Sequence, residues 1–502
     1  SVWWEVGKGM RIQVQHTNQI LGNRSNGVLS FPDLENMDGD AITPFQASLD
    51  LADGVFTAND GAITVRVYAD KTEDAIIVDM SGLLANQTQR LNLNLWSGRT
   101  PKWVNDDQRG VLGFTEGLSD PLNPSFRGGM VTAVQSTGTI LQKASISHGI
   151  QQTVSADANG NLRVIFSATE WKSRAFSSNG VGELATDHTS MLRDTLLLQN
   201  AKSEWHKRWA NVMPIRIDVD RNDTSKPEAL FESVRTLNIY YSFIGAKGQY
   251  PITQGGRSRL LGPGREGTRQ WNYYYGGDWN FNSRNQYYTM MASGQAHLMK
   301  PYFEWYTGNL SKSEANTRDN FPSSVEGVCI TDNNRYDKHN YYVSISGDAL
   351  GNGNENREVE YCNPNSHWYT TNQYETGAAV ALTLFQYADV TGDTAYLESK
   401  AEFIRKVTLF MATVGEIDPT TGKYTVKGNT FENWFYTKNP SLILASIKAL
   451  FPKVRAWAQY KVNSNQDVSG DYTALIRKID SVTPHIPSLP LTNKKHKTDH
   501  VY

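Results

Sequence analysis

The densest run of chemically capable side chains is Gly276-Gly277-Asp278-Trp279-Asn280-Phe281-Asn282-Ser283-Arg284-Asn285-Gln286-Tyr287-Tyr288. Carboxamides donate and accept hydrogen bonds together, which matches a hydroxyl-rich ligand, and Trp and Tyr can cover an apolar ring face. Asp278, Trp279, Asn280, Asn282 and Asn285 are its candidate ligand contacts; the competing reading is a polar loop whose amides bond their own backbone. A second segment, Thr430-Phe431-Glu432-Asn433-Trp434-Phe435, sets a carboxylate among three aromatics. Desolvation there would raise the pKa of Glu432, as a general acid requires near neutral pH; a surface Glu at a loop end is the alternative. Asn433 and Trp434 join it as candidate contacts. The third segment runs from His367-Trp368 to Tyr374-Glu375 at a helix start. Here His367 and Tyr374 are candidate contacts, and Glu375 is catalytic, sugar-binding, or simply a favourable first-turn charge.

Other chemistries leave no trace. The sequence has no GxSxG, HExxH, GxxxxGK[ST] or CxxC motif, and its 10 His are dispersed, so neither a metal nor a cofactor is expected. A net charge of −2 argues against a surface built to neutralise phosphates, hence against nucleic acid as partner. No apolar run approaches the roughly 18 residues of a membrane span. The 13 Trp and 24 Tyr fit either a large core or stacking walls for sugars. Cys329 and Cys362, the only two cysteines, are either one disulfide staple or two unrelated thiols. Sequons at Asn23, Asn86, Asn222 and Asn309 permit export, and a secreted or periplasmic location is expected.

The elements that must position these residues fall into two halves. Up to about residue 190 the hydrophobic period is two: Ile12 and Val14; Ile63, Val65 and Val67; Leu91, Leu93 and Leu95; Leu162, Val164 and Phe166, separated by turns such as Asn159-Gly160. This predicts an antiparallel β-sandwich over 1–192. Asp157 to Asn161 faintly resembles a calcium loop but reads better as a hairpin turn. Residues 193–225 read as a linker, with Leu198, Ala201, Trp205 and Trp209 on one helical face and a short strand over 214–219. From 226 to 502 helical periodicity dominates. Ser225 and Glu228 form a capping box before the stripe Leu230, Val234, Leu237, Tyr241 and Ile244. Further helices cover 375–389, the stretch from Leu397 to Met411, and the stretch after Asn439-Pro440. The stretches 250–280 and 311–373 are expected to be long functional loops.

Taken together, the first segment, the Thr391-Gly392-Asp393 turn, and Asp418-Pro419-Thr420-Thr421-Gly422 ahead of Phe431-Glu432-Asn433 resemble, in order, the six-hairpin glycosidases related to glycoside hydrolase family ninety-five. That family comprises inverting α-L-fucosidases and α-L-galactosidases, and the resemblance covers about 270–455. It implies an (α/α) helical-hairpin toroid behind the β-sandwich, a general acid at Glu432, and Asn280 and Asn282 holding substrate and attacking water. Trp279, Tyr374 and Trp434 would wall the pocket. The family's general base is an Asp beyond the acid; here only Asp467, Asp471, Asp480 and Asp499 follow Glu432, in no matching motif. Six hairpins also need roughly 350 residues. Either the chain is truncated at both ends and the base lies outside it, or the toroid is incomplete and the base differs, with Asp278 and Glu375 as the substitutes among the residues present. The implied activity is inverting hydrolysis of an oligosaccharide or polysaccharide. A polysaccharide lyase, an inactive glycan-binding protein of the same fold and a phosphorylase are the rivals.

Overall fold

A computed structural model describes residues 2–5, 8–14, 26–35, 37, 45–70, 74–96, 99–106, 109–120, 123–172, 179–212, 215, 227–245, 277–308, 310–335, 362–365, 372–429 and 437–489. The chain divides into two compact units, one holding residues 1–245 and the other 277–347 and 353–502.

Among the described residues fourteen strands open the first unit: β1 (Val2–Glu5), β2 (Gly9–Gln13), β3 (Val28–Phe31), β4 (Gln46–Asp50), β5 (Val55–Asn59), β6 (Thr64–Ala69) and β7 (Ala75–Ser81), then β8 (Thr88–Asn94), β9 (Lys102–Asp106), β10 (Val111–Asp120), β11 (Asn123–Ser136), β12 (Thr139–Ile146), β13 (Gly149–Ser155) and β14 (Leu162–Lys172). They form two antiparallel sheets, ordered β1-β2-β3-β8-β13-β12 and β4-β5-β6-β7-β14-β11-β10-β9. The inner faces meet in one core that takes Ile12, Val65, Val67, Leu91, Leu93, Leu95, Leu162, Val164 and Phe166. The alternating residues are thus the buried ones, because a strand turns successive side chains to opposite faces. In β14 the intervening Ile165 is buried too, with Ile77, against Met191, Leu197 and Ala201. Those three belong to helices α1 (Asn179–Arg193) and α2 (Leu197–Ala210), which follow the sheets. Asp157 is a turn residue, its Oδ1 accepting from the amides of Asn159 and Asn161.

Helix α2 docks on the β4–β5 turn. The Trp209 indole donates to the Leu51 carbonyl at 2.7 Å, and Asp53 receives Lys202 at 2.6 Å and His206 at 2.8 Å. Helix α3 (Pro227–Gly245) returns to α2, stacking Tyr240 on Trp205 and setting Phe243 edge-on to Trp205 and Trp209. This corrects the expected α3 stripe. Leu230, Val234, Leu237 and Tyr241 are exposed, and the buried positions are Ile239, Ser242 and Phe243. Tryptophans on α2 decide the matter, giving large aromatic partners to the Tyr240–Phe243 face. Of the strand expected over 214–219, only Ile215 lies among the described residues, in no regular element.

The second unit carries β15 (Gly277–Trp279), α4 (Asn280–Ala292), α5 (Lys300–Thr307), α6 (Leu310–Asn320), β16 (Asn333–Arg335), α7 (Glu375–Thr391), α8 (Thr394–Ser399) and α9 (Ala401–Thr413), and ends in α10 (Ser441–Asn463) and α11 (Asp471–Val482). These are eight helices among the described residues. Helix α7 is buried on most of its surface, with α4, α5, α9 and α10 packed around it. Gly392 at φ 73° ends it, and Asp393 starts α8 by accepting the Tyr396 amide. Two expectations change here. The carboxamide run is a strand and a helix rather than a loop. The stretch 311–373 begins inside α6 and contains β16, while α6 buries only Ser313 and Thr317, which leaves no apolar period to read. Cys329 and Cys362 are joined in a disulfide, their Cα atoms 6.2 Å apart.

Gly54 gives the α2 contact a sharp test. It sits at φ +66°, and a Cβ there would fall 1.9 Å from the Trp205 indole nitrogen. Gly54→Ala is expected to cost about 1–3 kcal/mol through the left-handed backbone and the overlap together. A urea midpoint unchanged from that of the wild type would show that the turn and α2 do not pack this way.

Candidate functional site

Helix α4 begins inside the second unit, where its first amide groups need partners. Asp332, just ahead of β16, supplies them: its carbonyl accepts from the Asn280 amide at 2.9 Å and its Oδ1 from the Phe281 amide at 3.0 Å. The β15–β16 pairing, Trp279 opposite Asn333 and Gly277 opposite Arg335, brings the two segments side by side. The Asn280 side chain is held from another direction, its Nδ2 donating to the Tyr302 hydroxyl at 2.7 Å. Tyr302, on α5, is buried and packs on Tyr287 with ring centroids 4.3 Å apart. The buried face of α4 is therefore Asn280, Ser283, Tyr287 and Met290.

Glu375 opens α7 and is only 4% exposed, and Asp332 only 3%. Gly377 lets Ile330 and Val407 approach α7 so closely that a Cβ would meet them at 3.2 and 2.9 Å, which draws the chain just before Asp332 onto the first turn of α7. Burial pushes the Glu375 carboxyl up to about 7; the charge of Asp332 adds to the rise, while its own backbone amide and Arg284 oppose it. Burial likewise pushes Asp332 up to about 6, against the Phe281 amide and Arg284. Arg284, its guanidinium 4.2 Å from the centroid of the Phe281 ring, is the cation that bears on both carboxyls. Oδ2 of Asp332 and Oε2 of Glu375 accept no hydrogen bond. Buried acceptors in a folded protein are normally satisfied, so these two oxygens are capacity that the fold itself does not use.

Glu432, Asn433, Trp434 and His367 lie outside the described residues. The chain enters the stretch 430–436 from Asn429, whose amide donates to the Asn372 carbonyl at 3.1 Å, and leaves it at Thr437, paired with Gly428. Asn429, just ahead of the Glu432 segment, is thus bonded to a residue three positions from Glu375, and Thr437, just after it, pairs with Gly428 beside Asn429. For Asp278, Trp279 and Asn282 the backbone alone is described, in β15 and at the third residue of α4. Asn285 is on the exposed side of α4. Tyr374 departs from its expected place as a pocket wall. Its ring is 1% exposed, edge-on to Phe321 and Phe410, with its hydroxyl donating to Asn372 Oδ1. Core aromatics on both sides leave it no face for a ligand.

The structure therefore gathers Asn280 and Glu375, with Asp332, Arg284 and Tyr302, which the sequence pattern does not single out. An acid three residues after a cysteine and directly before Asn333-Asn334 was the available signal for Asp332. Among the described residues no group of three or more His, Cys, Asp or Glu could hold a metal, and no helix is long and apolar enough to cross a membrane.

No known family profile matches the chain, and no curated protein does. Solved structures match. A human-microbiome protein provisionally assigned as a kojibiose phosphorylase is 12% identical, with a TM-score of 0.58 over 90% of this chain and 57% of its own. A family GH92 inverting mannosidase from Bacteroides thetaiotaomicron is 10% identical over 90% of this chain and 68% of its own, at a TM-score of 0.36. The first likeness shows the fold, antiparallel β-sheets followed by a helical region, in a chain that spans little more than half of that protein. The second is too loose to carry an argument. Neither singles out family ninety-five.

Because both buried carboxyls bind protons more tightly folded than unfolded, they contribute stability below the ordinary carboxyl range and lose it as pH rises through 6 and 7. Glu375→Gln removes the larger of the two ionisations. It is expected to reduce the fall in melting temperature between pH 5 and pH 8 while leaving stability at pH 5 within about 1 kcal/mol of wild type. An undiminished fall would mean that Glu375 does not titrate in this range.

Proposed function

We propose that the chain is a carbohydrate-active enzyme that hydrolyses a glycosidic bond with inversion, on an oligosaccharide or polysaccharide. The observation that carries this reading is the convergence within the helical unit of Asn280, the buried Glu375 and Asn429, the residue that leads into the Glu432 segment. Cleaving an acetal linkage needs a proton for the leaving oxygen and a carboxylate to activate water. Glu432 takes the first role on its resemblance to the family's general acid. Asn280 and Asn282 hold the water, and Asp278 or Glu375 stands in for the base. The phosphorylase name of the first structural neighbour agrees with a glycosidic substrate. A disulfide in the helical unit suits an oxidising compartment, hence a secreted or periplasmic location.

Screening a library of glycosides and glycans with and without inorganic phosphate tests the reading. Release of a free sugar with inverted anomeric configuration, independent of phosphate, is the expected result. A strict phosphate requirement would make it a phosphorylase, an unsaturated product a lyase, and binding without turnover a glycan-binding protein. Glu432→Gln should lower turnover at least 10²-fold with binding retained. A loss below about tenfold removes Glu432 from the acid role.

A further inference from the structure

We propose that Asp332 is the positioning residue of the asparagine pair, the group that fixes the first turn of α4, in which Asn280 and Asn282 stand. The proposal rests on the glycosidase reading and deepens it by naming what holds the proposed water-binding residues in place.

An ordinary helix cap is a short polar side chain at the residue before the helix, exposed to water and bonding two or three positions ahead. Asp332 differs on each count. It reaches Phe281 from 51 residues away in sequence, it is 3% exposed, and it binds two successive amides with two different groups, a carbonyl for Asn280 and a carboxylate oxygen for Phe281. A buried carboxylate is an expensive way to satisfy one amide, and a neutral Asn or Ser would do it at lower desolvation cost. The charge has a counterpart in Arg284, one turn into the same helix, and a like-charged neighbour in Glu375 on α7. Each carboxyl keeps one oxygen free. Asp332 thus ties three elements at one point: the turn into β16, the start of α4 and, through its field, the start of α7. With Tyr302 orienting the Asn280 amide from α5, the asparagine is held by backbone and side chain independently. Such double restraint is what a water-positioning group needs, since a displacement of about 1 Å in a reacting group can cost on the order of 10²-fold in rate.

Asp332→Ala and Asp332→Asn, made in the full chain, separate positioning from mere support. Asn keeps an oxygen that accepts from the Phe281 amide; Ala keeps none. In the glycoside assay, Ala is expected to lower kcat about 10²-fold with KM within about threefold, and Asn to restore most of that loss. Hydrogen exchange at the Asn280 and Phe281 amides should quicken in Ala and match wild type in Asn. Unchanged kcat in Ala, equal losses in Ala and Asn, or a loss accounted for by a smaller folded fraction would each overturn the proposal. If the wild type cleaves no glycoside, the glycosidase reading falls by itself, and amide exchange alone then decides whether Asp332 orders this turn: unaltered exchange in Ala refutes it.

Discussion

A helix that starts in the dry interior leaves amide groups that water cannot reach, and the geometry around the candidate site follows from how α4 meets that constraint. Its donors are met by a distant residue, which requires β16 to lie against β15 and requires the chain ahead of Asp332 to pack on α7. Burial raises the pKa of Asp332 and of the second acid brought here, Glu375, and at Glu375 the charge of Asp332 adds to the rise. The protonation chemistry of the site is thus a by-product of the backbone accounting.

The first unit solves a related problem with apolar surface. Its eight-stranded sheet is covered on both faces, by the other sheet and by α1 and α2, so β14 buries Val164, Ile165 and Phe166 in succession. Some polar groups inside it are paired: the Arg99 guanidinium grips Glu116, both nearly inaccessible, and Ser167 meets His188 at 2.6 Å. Burial holds His188 down at about 4, so it stays neutral. Among the described residues, what sets the helical unit apart is that two of its unpaired buried acceptors belong to carboxyls.

Much of the sandwich is legible because one residue in two is buried, as Leu91, Leu93 and Leu95 show. The ends of α7 and the start of α10 are legible because Gly392 and Pro440 punctuate the chain. Elsewhere the pattern misleads for definite reasons. Helix α3 is apolar on two faces, and only the tryptophans of α2 choose between them. Helices α4 and α6 bury polar residues, Asn280 and Ser283 in one and Ser313 and Thr317 in the other, so no stripe appears. The asparagines and Glu375 stand out by type. Asp332 does not, because its importance lies in two long-range hydrogen bonds, one of them across 51 positions, that no local pattern encodes.

The Cys329–Cys362 bond closes a stretch of 33 positions that opens three residues ahead of Asp332. A covalent tie at the base of a segment separates the history of its interior from that of its ends, since lengthening a closed stretch costs only about 0.6 kcal/mol per doubling. Insertions, deletions and changes of composition between Arg335 and Cys362 can therefore accumulate across generations without moving the residue that holds α4. Lineages descended from such an ancestor are free to rewrite that interval while inheriting the asparagine turn unaltered.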